Sequence, residues 1–221
     1  MPRTNRLSAC AIASAMLPAS LALAGGVPIF GDDCLPPTRG AYVAQFHSWG
    51  GGAYTLSDPM HFAFTACTPP PTTIGLPELH SFSSTVSGVL GGPGFGGGPI
   101  PFVAGGVASQ VSVTLLSDMG GVRMFDTEML QLDLVGGGLM VRESPTIPSQ
   151  GQTQITDMGG GLYRIDSFFD VFTELSLDGG QTWIPSDGPT RMGLVMIPAP
   201  PAAVGSGLAL LALAGRRRRG R

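Results

Sequence analysis

"RIDSFFDVFTELSL", residues 164 to 177, decides the fold class. Ile165, Phe168, Phe169, Phe172 and Leu175 fall at helical spacing, while Ile165, Phe169, Val171, Leu175 and Leu177 share one face of a strand. A helix would stack Asp166, Asp170 and Glu174 at successive four-residue steps, three like charges along one ridge, which is unfavourable. The strand reading avoids this and runs straight into Asp178-Gly179-Gly180. Asp-Gly is a preferred pair for a tight hairpin, because glycine accepts positive φ and aspartate bonds the local backbone. The segment therefore predicts a strand, with Phe168 and Phe172 covering a partly buried second face. Thr182 and Trp183 begin the returning strand, where the indole can pack on the facing side chains.

Outward from this hairpin the same grammar repeats. "SLDGGQTW", residues 176 to 183, resembles the Asp box S-x-D-x-G-x-T-W of sialidase-type β-propellers. In that family the box is a β-hairpin turn, recurs once per blade and lies away from the catalytic centre. One box in a chain too short for six blades implies shared turn geometry, not glycosidase chemistry. Upstream, "EMLQLDLV" puts Leu130, Leu132 and Leu134 on one face, "GGG" turns the chain and "LMVRE" returns it. The 34 glycines and 20 prolines approach a low-complexity composition, yet the apolar pattern between them is too ordered for disorder. A faint internal likeness links "LHSFSSTVSGVLGG" (79 to 92) with "IDSFFDVFTELSLDGG" (165 to 180), and "QVSVTLL" (110 to 116) with "RMGLVMI" (191 to 197). The expectation is an all-β body, residues 25 to 197, folded as an antiparallel β-sandwich of two related β units.

The two ends read as sorting segments. Residues 1 to 24 place Arg3 and Arg6 before an uncharged apolar run that closes on Ala22-Leu23-Ala24, the small-x-small pattern of a signal peptide. Export machinery and signal peptidase are the implied partners, with cleavage between Ala24 and Gly25. A lipoprotein reading of "LSAC" at Cys10 fails because the apolar region follows that cysteine. Cleavage leaves Cys34 and Cys67, and an oxidising compartment favours a disulfide between them over two free thiols.

Charge is partitioned as well. The chain has no lysine; Arg39, Arg123, Arg142, Arg164 and Arg191 are the five cations of the body, set against all 15 acidic residues, for a net charge of −10. Such a body repels phosphate backbones, so nucleic acid is not expected as a partner. Residues 198 to 221 hold Pro198, Pro200 and Pro201, an uncharged run from Ala202 to Gly215, and Arg216, Arg217, Arg218, Arg219 and Arg221. This tripartite tail resembles the PEP-CTERM sorting signal of bacterial surface proteins, with Pro198-Ala199-Pro200 standing where Pro-Glu-Pro is typical. The resemblance implies an exosortase-type protease as partner, a body outside the membrane, and arginines held inside. A helix over the run would measure about 21 Å, a marginal span of the roughly 30 Å hydrocarbon core. A plain C-terminal anchor is the alternative.

The body offers no recognisable chemistry. "FDTEMLQLDL", "RESPT" and "IDSFFDVFTELSLDGGQTW" together resemble a group of uncharacterised exported bacterial proteins, which implies a location and no activity. His47, His61 and His80 with Asp58 fit no familiar ligand spacing. Gly92, Gly94 and Gly97 spell G-x-G-x-x-G, but Pro93, Pro99 and Pro101 exclude the helix that would receive a phosphate. Asp166, Asp170, Glu174 and Asp178 invite calcium, though alternation spreads them along a solvated face. No G-x-S-x-G elbow occurs. No catalytic residue, cofactor or metal is expected. The leading expectation is a surface-displayed, non-enzymatic β protein of an extracellular matrix or cell envelope. The alternative is a glycan-binding or glycan-processing module with extracellular polysaccharide as partner, using the Asp box, Trp49 and Trp183.

Overall fold

The computed structural model describes residues 27–95, 98–136 and 138–197. The leader with its Ala24/Gly25 junction, and the tail with Pro198, Pro200, Arg216, Arg217, Arg218 and Arg219, lie outside the described residues. Within them every regular element is a strand. In chain order these are β1 (Ile29–Phe30), β2 (Gly40–Val43), β3 (Phe46–Trp49), β4 (Tyr54–Thr65), β5 (Pro77–Gly91), β6 (Ile100–Met119) and β7 (Val122–Gly136). They continue as β8 (Leu139–Glu143), β9 (Ser149–Gly159), β10 (Leu162–Val171), β11 (Thr173–Ser176), β12 (Ile184–Pro185) and β13 (Thr190–Met196). The strand reading of residues 164 to 177 holds as β10 and β11. Ile165, Phe169, Val171 and Leu175 are buried, Phe168 and Phe172 are half-buried, and Leu177 alone departs, lying exposed beyond the strand end.

All strand pairs are antiparallel, and they close on themselves. Following hydrogen-bonded neighbours, β10 pairs with β13, β13 with β2, β2 with β4, then β5, β6, β7 and β9 in turn, and β9 returns to β10. The expected sandwich is thus an eight-stranded barrel. The physical reason lies in the length and irregularity of its walls. β4, β5, β6 and β7 run 12, 15, 20 and 15 residues, and register shifts interrupt their ladders between Ser57 and Met60, Phe62 and Thr65, Ser84 and Thr85, and Gln110 and Val111. Each bulge bends and twists its strand, which is what curls a wide sheet until its edges meet. On one side a second wall branches off: β7 pairs with β8, β8 with β11 and β11 with β12, and a bridge between Ser186 and Trp49 joins that wall to β3.

A bulge also corrects the expected face of residues 128 to 135. Leu130 is 46% exposed while Leu132 and Leu134 are buried, because Met129 pairs with Val111 and Gln131 with Gln110, leaving Leu130 as the extra residue. Alternation is odd before it (Phe125, Thr127, Met129) and even after it. The internal likeness between residues 79 to 92 and 165 to 180 fails for a related reason. Leu79 is 57% exposed, whereas its counterpart Ile165 is fully buried. The second part of the likeness keeps its parity, with Val111 and Val113 buried like Met192 and Leu194, and another likeness joins the hairpins β6–β7 and β9–β10, whose turns read Ser117-Asp118-Met119-Gly120-Gly121 and Thr156-Asp157-Met158-Gly159-Gly160. Gly120, Gly121, Gly159 and Gly160 all take positive φ there.

The barrel is filled, not hollow. Phe125, Ile155 and Ile165 form part of a continuous apolar core with Phe102, Val107, Met129 and Leu194. Inward polar groups bond to one another: the Tyr42 hydroxyl to Ser167 Oγ at 2.9 Å, and Ser167 Oγ to Thr153 Oγ1 at 2.7 Å. Burial raises the Tyr42 hydroxyl to about 12, so it stays protonated within this chain of bonds. At the lower end Cys34 and Cys67 are joined, with Cα atoms 5.1 Å apart, and Arg123 pairs with Asp33 at 2.9 Å. Strand directions place at this same end both D-M-G-G turns, β1, and the end of β13, where Ile197 N–H donates to the Arg39 carbonyl. The turn at residues 50 to 53, the loop after β5 and the Asp box lie at the opposite, upper end.

Candidate functional site

The sequence-selected residues occupy positions that suit structure. His47, His61 and His80 are buried at 6%, 3% and 1% exposure, each with its own partners. His47 bonds Thr190 Oγ1 and, at 2.7 Å, Thr173 Oγ1; His61 Nε2 bonds Ser84 Oγ at 2.6 Å; His80 Nδ1 bonds the Leu35 carbonyl at 2.9 Å. Burial lowers His47 to about 4, with the Asp187 carboxylate pulling weakly the other way, and burial alone lowers His61 to about 4. Both are neutral core imidazoles at physiological pH. Asp58 is exposed, on a bulge with positive φ. Among the described residues no group of three His, Cys, Asp or Glu side chains could hold a metal ion.

The Asp box is a braced turn. Asp178 Oδ1 accepts from the Gln181 and Thr182 N–H groups at 3.0 and 2.9 Å, and its Oδ2 from the Thr182 hydroxyl at 2.6 Å. Ser176 Oγ donates to Asp178 at 2.8 Å and accepts from Gly180 N–H. The Thr182 bonds, then Ser176, hold the Asp178 carboxyl down at about 2. Gly179 and Gly180 both carry positive φ, and the returning strand starts at Ile184, past the expected start at Thr182-Trp183. Trp183 is stacked under Arg142 at 3.9 Å, and Arg142 is itself held by Glu174 at 2.7 Å. Trp49 is 1% exposed and donates its indole N–H to Thr173. Neither indole therefore presents an open platform of the kind the glycan alternative assigned to it.

A different surface has the geometry of a site. Two interior voids among the described residues hold only about 20 and 40 Å³, too little for a metabolite. On the outer wall, by contrast, a depression of about 580 Å³ crosses β6, β7, β9, β10 and β13. Alternation supplies its lining: Ser112 and Thr114, Asp126 and Glu128, Gln150 and Gln152, Phe168 and Asp170, and Arg191 each project outward from their strands. Gln150 stands opposite Glu128, and Gln152 opposite Asp126, in the β7–β9 ladder. Arg191 grips Asp170 through two parallel bonds of 2.9 and 2.7 Å and lies 4.1 Å over the Phe168 ring. That grip, chiefly its hydrogen bonds, lowers the Asp170 carboxyl and raises the Arg191 guanidinium. Phe168 and Arg191 also border a second depression of about 760 Å³ over β13 and β10, which reaches Phe46 at 51% exposure.

No family model, curated protein or solved structure matches this chain. Sequence reading found Asp166, Asp170 and Glu174 as a solvated acidic face, and Asp166 is indeed exposed, but Asp170 and Glu174 each hold an arginine. It missed Gln150, Gln152, Asp126 and Arg191 as one surface. The signal available was the outward parity of "QGQTQ" and "FDTE"; their adjacency needed the β7–β9 pairing. Above this face the Glu143 carboxyl is raised to about 7, first by burial and then by repulsion from Glu128 and Glu174, against hydrogen bonds from Ser149.

Proposed function

We propose that this chain is an exported, surface-displayed, non-enzymatic β-barrel of an extracellular matrix or cell envelope, sorted by its C-terminal tail, and that it holds extracellular polysaccharide along its outer wall. The observation that carries the binding reading is the pair of adjoining depressions that meet at Phe168 and Arg191. Carboxylates and amides at the pleat spacing accept and donate to hydroxyl pairs, and an aromatic ring offers a surface for sugar C–H groups. The acidic body disfavours anionic polymers, so a neutral glycan fits best. The leader, the tail resembling PEP-CTERM signals, and the Cys34–Cys67 bond support an extracytoplasmic setting. Glycan processing draws no support from the Asp box, whose carboxylate is engaged by its own turn.

Affinity electrophoresis of the exported protein through gels containing neutral polysaccharides tests this. Retardation by at least one polymer, lost in Gln152→Ala with Phe168→Ala, is expected. Unretarded migration across a broad neutral panel refutes the binding reading.

A further inference from the structure

The lower end of the barrel carries a fringe of apolar side chains left exposed by the described residues. Met119 is 73% exposed, Met158 52% and Leu162 49%, and Leu116, at 45%, stands just inside the first turn. They sit on the two adjacent D-M-G-G hairpins, which are tied together where Asp157 N–H donates to the Gly121 carbonyl at 2.8 Å. Exposed methionine and leucine singly need no explanation; gathered on the tips of paired hairpins they do.

The onward path of the chain leads to what covers them. β13 ends at Met196, and Ile197 is bonded to Arg39 at this same end of the barrel. Only Pro198 to Pro201 separate Ile197 from the uncharged run that begins at Ala202. Those five steps reach at most about 17 Å when fully extended. If the run enters a bilayer, so short a tether holds the lower end, with its exposed hairpin-tip side chains, against the lipid surface. We infer that Met119, Met158 and Leu162 dip into the outer interfacial layer of the membrane that holds the tail, so that the barrel stands end-on with its polysaccharide-facing wall upright. This rests on the reading of residues 202 to 215 as a membrane segment. The tips carry Asp118 and Asp157, which favours a zwitterionic surface over an anionic one.

The test uses the exported, tail-bearing protein in phosphatidylcholine vesicles, with an environment-sensitive fluorophore on Met119→Cys or Met158→Cys and, as control, on Ala53→Cys at the opposite end. Each of these positions is exposed, so labelling leaves the core untouched. Acyl-chain bromination of the lipid should quench the tip fluorophores by at least about twofold and leave position 53 unchanged, as expected for side chains within roughly 10 Å of the headgroup boundary. Protein that floats with the vesicles but shows unquenched tips overturns the end-on inference while sparing the tail reading. Energy transfer between tips of separate copies, with no quenching, assigns the fringe to a second copy and also overturns it. Failure to float removes the tail reading and the inference together.

Discussion

Replacing Gly151 by alanine should cost this protein far more than the loss of one hydrogen atom suggests. Gly151 lies in β9 between Thr127 of β7 and Phe169 of β10, at the seam where the ring closes. A Cβ at this position would stand 2.2 Å from the Phe168 carbonyl oxygen, 2.8 Å from Phe169 Cδ1 and 2.8 Å from Thr127 Oγ1. The two side-chain atoms can turn aside, but the carbonyl belongs to the neighbouring ladder. To reach an ordinary contact the β9–β10 pair must part locally by about 1 Å, stretching the bonds on either side, a forced overpacking worth roughly 1 to 3 kcal/mol. The backbone entropy gained by removing a glycine offsets about 0.5 kcal/mol of this. For a body of this size each kcal/mol moves the melting temperature by roughly 2 to 4 °C, so a fall of several degrees is expected with the disulfide intact. Gly193→Ala is the matched control: it is also within a ring strand, yet nothing lies within 4 Å of its would-be Cβ. It should be neutral or slightly stabilising. Circular-dichroism melts in which both variants shift alike would show that the seam is not packed as described.

Two further outcomes follow from the core. Neutral His47 and His61 have folded values near 4 against an unfolded value near 6.5, so the unfolded chain binds protons first as pH falls. Unfolding free energy should therefore drop between pH 6.5 and 4, on the order of 3 kcal/mol per histidine at most, and level off below. Half-buried Glu143, raised to about 7, works in the opposite sense over part of that window and blunts the drop. Denaturant titrations across this range check it; a flat profile, or one that His61→Gln leaves unchanged, contradicts the burial of the imidazole. For the Cys34–Cys67 bond, closing a loop of 33 residues, reduction should destabilise by about 4 kcal/mol on the chain-entropy model. Uptake of two alkyl groups by unreduced protein would show that the bond is absent.

Local structure was legible where side-chain parity and turn chemistry coincide. Ile165, Phe169 and Leu175 announce a strand, and Asp178-Gly179 announces its turn, because both signals are confined to a few neighbouring residues. Closure was not legible, since whether β9 pairs only with β10 or also with β7 depends on partners distant along the chain, as Val122 is from Thr156. The bulge at Leu130 shows the cost of reading alternation alone: one extra residue inverts the face of everything beyond it. The outer depressions were hidden for the same reason, as Gln150 and Glu128 become neighbours only through that pairing. The paired D-M-G-G turns were in plain view in the sequence, masked by a weaker likeness whose first part, residues 79 to 92 with 165 to 180, has opposed faces.

β13, the last of the described strands, lies between β10 and β2, with four paired positions on each side, Phe168 to Val171 against one edge and Gly40 to Val43 against the other. In mechanical terms this makes it a lap joint. Ladder hydrogen bonds in an antiparallel pair stand perpendicular to the strands. A pull on the chain beyond Ile197, directed along β13, therefore loads both rows of bonds together in shear and cannot unzip them one at a time. Were this strand at a free edge, the same pull could peel it away bond by bond. The barrel thus hands tension to two neighbouring strands at once.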